Sequence, residues 1–164
     1  MIRTAIITLS DKGSKGERED ESGRTIREMV SAIGAAVRHY EVLPDERPLI
    51  AALLARLADT GAIDLIITTG GTGVAPRDVT PEATRDVIER ELPGMAEAMR
   101  AESLKKTAHA MISRSVAGIR KQTLIVNLPG SPRAVRENLA VILPALQHAV
   151  EKIQGDSSDC ARPA

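Results

Sequence analysis

The sequence contains one tyrosine and neither phenylalanine nor tryptophan among its 164 residues. It therefore lacks the aromatic side chains on which single-stranded nucleic acids stack. It also lacks an excess of either charge, because 22 Lys and Arg residues balance 22 Asp and Glu residues. Without an aromatic platform or a basic surface, nucleic-acid binding is not expected. The apolar residues, 43% of the chain, must build an aliphatic core.

Cysteines and long apolar runs are equally scarce. Cys160 is the single cysteine, so an internal disulfide, a cysteine-based zinc cluster and a redox pair are excluded. No stretch reaches the roughly 18 consecutive apolar residues of a membrane span. The start of the chain lacks the basic segment and the cleavage pattern of a secretion signal. We expect a protein of the reducing cytoplasm that does not enter a membrane.

Predicted strands and helices alternate along the chain. Residues 4–9, 35–43 and 63–69 are rich in β-branched and apolar side chains, as buried strands are. Apolar residues at helical spacing follow each of these segments, and a last strand at 123–128 precedes a final amphipathic helix. Because helices that connect parallel strands pack back onto the sheet, we predict a three-layer α/β fold, a mostly parallel sheet with helices on both faces.

Local signals predict where several elements begin and end. Ser22 is the predicted N-cap of the first helix, and Gly34 is placed for a left-handed C-cap. Thr80 and Pro81 are the predicted N-cap and first residue of the third helix. Pro93, which a glycine follows, predicts a break between two helices.

The end of the chain carries the remaining predictions about architecture. Residues 116–119 and 123–128 are predicted to pair as a small hairpin. The length has room for one domain, which we assign to residues 1–153. Residues 154–164 are expected to form a disordered tail.

Four polar or glycine-rich loops each follow a predicted strand, at residues 10–22, 44–45, 70–80 and 128–132. In open α/β sheets, ligands bind at the carboxyl ends of the strands. We therefore expect these loops, which are distant in sequence, to meet at one edge and to form a single binding site.

The third of these loops begins with Gly70-Gly71-Thr72-Gly73. Such a cluster lets backbone N–H groups approach a ligand, and the following helix adds the positive end of its dipole, so an anion such as a phosphate suits the loop. No Gly-Lys-Ser or Gly-Lys-Thr follows, and Pro76 replaces the last glycine of a dinucleotide fingerprint. A tight strand-to-helix turn without a ligand is the alternative.

Two aspartates follow predicted strands at the same edge. Asp78 lies in the glycine-rich loop, where its oxygens suit Mg²⁺ beside a bound phosphate, and a capping or salt-bridging role is the alternative. Asp45 lies just before the second helix, and taken singly it is better explained as a helix cap. Together, two carboxylates beside an anion-binding loop are typical of metal-assisted phosphoryl transfer.

Considered together, these motifs resemble the molybdopterin adenylyltransferases of molybdenum-cofactor biosynthesis, of the MogA/MoaB type. The resemblance covers residues 1–153, and its most specific part is the order of glycine loop, Arg-Asp pair and Thr-Pro-Glu. The matching segments are Ser10-Asp11, Asp20-Glu21-Ser22-Gly23, Pro44-Asp45, Thr68-Thr69-Gly70-Gly71-Thr72-Gly73, Arg77-Asp78-Val79-Thr80-Pro81-Glu82-Ala83, Pro93-Gly94 and Leu128-Pro129-Gly130-Ser131-Pro132.

The resemblance implies an enzyme with a molybdopterin-binding fold that joins AMP from ATP to molybdopterin, a pterin with a dithiolene and a terminal phosphate, and releases pyrophosphate. It implies that Asp45 and Asp78 are catalytic and act through Mg²⁺ and substrate placement. It also implies a homotrimer and a molybdenum insertase as a partner. The substrate-binding residues that it implies are Ser10, Asp11, Gly70, Gly71, Thr72, Gly73, Gly130 and Ser131.

Two other functions are compatible with the motifs. The glycine loop is also similar to that of the molybdopterin-binding domains within molybdenum insertases and competence-damage-type proteins, which belong to longer chains. A carrier or scaffold that hands molybdopterin to another enzyme, with purely structural aspartates, is the second alternative. The presence of both Asp45 and Asp78 favours the enzyme.

Overall fold

A computed structural model of the chain describes residues 1–157. Its strands are β1 Arg3–Leu9, β2 Ala36–Leu43, β3 Leu65–Thr69, β4 Arg90–Glu91, β5 Ala117–Arg120 and β6 Thr123–Leu128. They form one six-stranded sheet in the order β2-β1-β3-β6-β5-β4. The pairs β1–β2, β1–β3 and β3–β6 are parallel, whereas β5–β6 and β4–β5 are antiparallel. The predicted mostly parallel sheet is confirmed.

Helices cover both faces of this sheet. They are α1 Asp11–Ser14, α2 Glu21–Ala32, α3 Arg47–Asp59, α4 Thr80–Arg85, α5 Pro93–Leu104 and α6 Pro132–Ile153, with a 3-10 turn at Ala108–Ile112. Side chains of α2, α5 and α6 pack on one face, and those of α3 and α4 pack on the other. The three-layer arrangement is therefore confirmed. No helix within residues 1–157 combines the length and the apolar character that crossing a bilayer requires.

The central strands bury side chains on both of their faces. In β3, Ile66 belongs to the core under α3 and α4, whereas Leu65 and Ile67 belong to the core under α2, α5 and α6. Ile6 and Ile7 of β1 divide in the same way, and all five side chains are fully buried. This two-sided burial explains the continuous apolar runs of the sequence, and it confirms the predicted aliphatic core.

The predicted N-cap of the first long helix is wrong by two positions. Asp20 caps α2, and its Oδ1 accepts the N–H of Gly23 at 2.8 Å. Ser22 lies inside the helix, and its hydroxyl donates to the carbonyl of Gly130 at 2.7 Å. The serine therefore joins α2 to the loop after β6, and the aspartate that precedes it takes the capping role.

The predicted start of α4 is wrong by one position. Val79 occupies the N-cap without a side-chain hydrogen bond, and Thr80 is the first helical residue. The hydroxyl of Thr80 donates to the carbonyl of Gly70 at 2.8 Å, and its backbone N–H donates to the carbonyl of Gly71 at 3.1 Å. Thr80 thus ties down the glycine-rich loop, which is why it does not act as a cap.

Other local predictions are confirmed or refined. The β5–β6 hairpin is confirmed, and its turn places Lys121 in the left-handed region with φ 51°. Gly34 has φ 74°, as predicted for a left-handed C-cap. The break before α5 contains the short strand β4, which the sequence did not predict, and the first loop contains the short helix α1. Most of the predicted tail, including Cys160, lies outside the described residues.

At the amino edge of the sheet, one buried carboxylate ties three segments together. Asp64 accepts hydrogen bonds from the backbone N–H of Arg3 at 2.7 Å and from its guanidinium at 3.0 and 2.5 Å. It also accepts one from Gln154, just after α6, at 2.7 Å. Burial raises the pKa of Asp64, but the hydrogen bonds from Arg3 outweigh burial and hold the pKa below its ordinary value.

Asp64→Asn is expected to lower the free energy of unfolding at neutral pH by about 1–3 kcal/mol, because Arg3 loses its counter-charge. The pKa of Asp64 is lower in the folded state, so its contribution is complete above the unfolded pKa and is lost as pH falls through the folded value. Urea unfolding from neutral pH down to about pH 2 should therefore show the gap between wild type and variant closing.

The exposed ion pair between Asp86 and Arg47 supplies the control for this experiment. Asp86→Asn should cost at most about 1 kcal/mol at neutral pH, since exposed pairs contribute little. A gap between wild type and Asp64→Asn that stays constant down to the acid limit would contradict the assignment of this carboxylate.

Candidate active site

The loops that follow β1, β2, β3 and β6 meet at the carboxyl edge of the sheet and enclose a cavity of about 590 Å³. Each of these four loops contributes to the lining, as the sequence predicts. The predicted residues that line this cavity are Ser10, Asp45, Gly70, Gly71, Asp78, Gly130 and Ser131.

A second cavity of about 440 Å³ adjoins the first. Thr72 and Gly73 line only this second cavity, which α5, the 3-10 turn and α6 close on the far side. The residues common to both cavities are Gly71, Asp78, Gly130 and Ser131. Two cavities with a shared wall suit two ligands that react with each other.

The glycine-rich loop adopts a conformation that side chains would obstruct. Gly70 has φ 98°, and a Cβ there would lie 2.3 Å from the carbonyl oxygen of Leu9. Gly71 has φ 63°, and a Cβ there would lie 2.4 Å from the Thr80 hydroxyl. Gly130 packs against this turn, because its own Cβ would lie 3.3 Å from the Cα of Gly70. The chain therefore passes through a space that admits only backbone.

The polar groups of this loop are arranged to attract an anion. The carbonyls of Gly70 and Gly71 accept hydrogen bonds from Thr80, and those of Thr72 and Gly73 accept hydrogen bonds from Arg114. The N–H groups of Gly71, Thr72 and Gly73, in contrast, donate to no acceptor within residues 1–157. Successive amides without acceptors, with their carbonyls already engaged, form the kind of cradle that binds phosphate.

Asp45 does not cap the helix that it precedes. Glu46 occupies the N-cap of α3, with no side-chain hydrogen bond. The backbone N–H of Asp11 donates to Oδ2 of Asp45 at 3.1 Å, and the backbone N–H of Asp45 donates to Oδ1 of Asp11 at 3.1 Å. Burial is the main cause that raises the pKa of Asp45, and the charges of Asp11 and Asp78 raise it further. The capping interpretation of this residue is wrong.

Asp78 lies within the glycine-rich loop and forms no ion pair within residues 1–157. Its Oδ2 accepts the N–H of Ala75 at 2.9 Å, and a Cβ at Gly73 would lie 2.8 Å from the same oxygen. No hydrogen bond within residues 1–157 engages Oδ1 of Asp78 or Oδ1 of Asp45. Each carboxylate therefore keeps one oxygen available at the cavity.

The two aspartates fit a divalent cation only in combination with a substrate. Within residues 1–157, no group of three His, Cys, Asp or Glu side chains is placed to ligate a metal ion. Asp45 and Asp78 line the same cavity, and the charge of Asp78 raises the pKa of Asp45 after the larger effect of burial. Mg²⁺ is commonly held by one or two carboxylates together with substrate phosphates and water. The donor set fits an ion shared between protein and substrate.

Asp11, a predicted substrate-binding residue, lies at the rim and lines neither cavity. Its carboxylate accepts hydrogen bonds from the guanidinium of Arg77 at 2.6 and 2.9 Å, which hold the pKa of Asp11 below its ordinary value. Arg77 also donates to Glu46 at 2.8 Å. Asp11 therefore holds Asp45 and joins three loops, and its contact with substrate stays a prediction.

Asp20 lines the first cavity, although the site residues predicted from the sequence did not include it. Its Oδ2 accepts the hydroxyls of Thr8 at 2.6 Å and of Tyr40 at 2.5 Å. Burial, followed by the hydrogen bond to Asp20, raises the pKa of Tyr40 to about 12. The motif around Asp20 was visible in the sequence, but its contact with Tyr40 depends on how β1 and β2 pair.

The chain matches a known family over most of its length. The family described as "Probable molybdopterin binding domain" matches residues 5–148. The molybdopterin adenylyltransferase of Helicobacter pylori strain J99 is 45% identical over 157 residues, which cover 94% of this chain and 89% of that protein. Gephyrin of Dictyostelium discoideum is 43% identical over 155 residues, which cover 88% of this chain and 21% of gephyrin.

Solved structures show the same fold. The crystal structure of the molybdopterin biosynthesis enzyme MoaB from Thermus thermophilus superposes with a TM-score of 0.90 at 51% identity, over 95% of this chain and 98% of that one. The three-layer architecture and the predicted resemblance are both confirmed by this agreement.

Proposed function

Because the chain belongs to the molybdopterin-binding family to which bacterial molybdopterin adenylyltransferases belong, we propose that it transfers AMP from Mg-ATP to the phosphate of molybdopterin. The observation that carries this proposal is the pair of adjoining cavities that share Gly71, Asp78, Gly130 and Ser131. Two phosphorylated molecules, one in each cavity, would bring their phosphates to this common wall. The anion cradle at residues 71–73 lies there too.

In this reaction, a phosphate oxygen of molybdopterin attacks the α-phosphorus of ATP. A new P–O–P bond forms as the bond between the α-phosphorus and its bridging oxygen breaks, and pyrophosphate leaves with the electron pair. The attacking phosphate is already ionised at neutral pH, so no strong base is required. The protein contributes by positioning two anions and by offsetting their charge.

The chain's own groups divide these tasks between them. The amides of Gly71, Thr72 and Gly73 hold a phosphate against the shared wall. Asp45 and Asp78 would hold Mg²⁺ through their free oxygens, and that ion supplies charge neutralisation on the triphosphate. Asp11 fixes the position of Asp45 through the reciprocal hydrogen bonds described above.

Incubation of the purified protein with molybdopterin, MgCl₂ and ATP tests the proposal. We expect equal amounts of pyrophosphate and of molybdopterin carrying AMP, measured by a pyrophosphate assay and by mass spectrometry. Since the bond between the α- and β-phosphates breaks, α,β-methylene-ATP should yield no product, whereas β,γ-imido-ATP should still donate AMP. Molybdopterin binding without either product would leave only the carrier or scaffold alternative.

We further propose a homotrimer in the cytoplasm that passes its product to a molybdenum insertase. Leu104 and Met111 are exposed apolar side chains on α5 and the 3-10 turn, where a subunit contact would cover them. Gephyrin carries a segment similar to this chain within a much longer protein, which supports a functional link to a further step. The single cysteine supports the cytoplasmic assignment.

A further inference from the structure

Arg114 is the one side chain from outside the glycine-rich loop whose guanidinium donates to two backbone carbonyls of that loop, among residues 1–157. Its Nε donates to the carbonyl of Gly73 at 2.6 Å, and its Nη2 donates to the carbonyl of Asp78 at 2.6 Å. Its Nη1 pairs with the carboxylate of Glu82, at the start of α4. The backbone N–H of Arg114 also donates to the carbonyl of Thr72 at 2.9 Å. One residue therefore joins two separate parts of the loop, residues 72–73 and Asp78.

Arg114 acts from behind the loop. It lines neither the 590 Å³ cavity nor the 440 Å³ cavity, and instead lies against a separate small cavity beside Arg85 and Arg100. In a trans peptide the carbonyl and the following N–H point in opposite directions. When Arg114 holds the carbonyls of Thr72 and Gly73, it therefore directs the N–H groups of Gly73 and Val74 away from itself.

The rest of the loop has few other attachments. Thr80 secures Gly70 and Gly71 at its base, and Arg77 reaches across to Asp11 and Glu46 from an exposed position. The remaining residues of the loop, including the backbone of Asp78, are held to the body of the protein through Arg114. Arg114 is itself held in place, because Arg100 of α5 donates to the carbonyl of Ser115 at 3.0 Å.

We infer that Arg114 is a positioning residue for AMP transfer, which sets the location of Asp78 and the direction of the Gly73 N–H; this rests on the proposed function. Lysine cannot replace it, because a single ammonium lacks the planar fork that reaches two carbonyls and a carboxylate at once. A displacement of about 1 Å at a reacting centre costs on the order of 100-fold in rate. Arg114→Lys should therefore lower kcat by about 10-fold to 100-fold when kcat is measured well below the unfolding temperature of the variant.

Two measurements separate positioning from a merely structural role. Millimolar guanidinium should restore part of kcat to Arg114→Ala, since it can occupy the vacated fork between the two carbonyls. Hydrogen exchange should be at least about tenfold faster at the hydrogen-bonded amides of Ala75 and Asp78 in Arg114→Lys, with the exchange of β1 and β3 unchanged. The second measurement needs no turnover. If Arg114→Ala does not fold, the lysine variant and its exchange decide the question.

Arg120 provides the matched control, because its guanidinium also binds a carboxylate and a carbonyl. It donates to the carboxylate of Asp59 at 2.9 and 2.8 Å and to the carbonyl of Val87 at 3.0 Å. Arg120 lines neither cavity. Arg120→Lys should keep kcat within about twofold of wild type. If Arg114→Lys keeps kcat and loop exchange like this control, the inference is wrong. If wild type itself makes no product, the proposed function fails, and the exchange of the Ala75 and Asp78 amides alone decides whether Arg114 positions the loop.

Discussion

Alanine in place of Asp78 is expected to stop AMP transfer, with kcat at least about 10³-fold below that of wild type. Asp78 lines both cavities, so its carboxylate lies where the two substrates would meet. Its side chain makes one hydrogen bond, with the N–H of Ala75 at 2.9 Å, and the loss of that bond should change the free energy of unfolding by only about 1 kcal/mol. Pyrophosphate release and urea unfolding measure the two quantities.

Asp45→Ala should have the same effect on kcat for a related reason. Burial and the charges of Asp11 and Asp78 raise the pKa of Asp45, which shows that its charge is not favoured by the fold alone. A cation bound with the substrate would compensate the charge of Asp45. Alanine removes both the cost of burying that charge and the ligand for the cation. Retention of molybdopterin should largely survive in both variants.

Asp86→Ala is the control for both aspartates, because Asp86 forms an exposed ion pair with Arg47 and lines neither cavity. Its kcat should equal that of wild type. Wild-type activity in both Asp45→Ala and Asp78→Ala would contradict the catalytic assignment and would favour a carrier in which the carboxylates are structural.

Gly70→Ala is expected to be the most destabilising single substitution at the site, by about 3 kcal/mol or more. The backbone of Gly70 has φ 98°, and the added Cβ would lie 2.3 Å from the carbonyl oxygen of Leu9. Because that oxygen belongs to the end of β1, the clash cannot be relieved without moving the sheet edge. Urea unfolding of wild type and variant measures the difference.

Gly34→Ala separates the clash from the backbone conformation. Gly34 has φ 74°, but a Cβ there meets nothing within 4 Å. This variant should lose only about 1–2 kcal/mol, the cost of a left-handed non-glycine residue. Equal losses of unfolding free energy in Gly70→Ala and Gly34→Ala would show that the contact with Leu9 does not contribute to the destabilisation.

The sheet and the meeting of the aspartates were predictable because both follow from one topological rule. Parallel strands place their carboxyl ends at one edge, so Asp45 and Asp78 were expected at the same edge once β1, β2 and β3 were recognised. The hairpin of β5 and β6 was predictable for a similar reason, since two apolar runs flank a short charged turn.

Other parts of the site leave no pattern in the sequence. Ser22 and Thr80 have the side chains of helix caps, but the loops at the sheet edge engage their hydroxyls, and adjacent residues take the capping positions. Arg114 contacts backbone carbonyls, which every residue possesses, so no residue type marks its partners. Strand β4 has two residues, too few for a periodic signal.

The hydrogen bond between Tyr40 and Asp20 links the intrinsic fluorescence of the protein to its candidate active site. Tyr40 is the only aromatic side chain of the Phe, Trp and Tyr type in the chain, so it is the sole source of intrinsic ultraviolet fluorescence. Its phenol donates to Asp20, which lines the first cavity, and the guanidinium of Arg27 lies 5.2 Å from the ring centroid. Emission from this chain therefore comes from a single fluorophore that is hydrogen-bonded to a residue lining that cavity, with no background from elsewhere in the molecule.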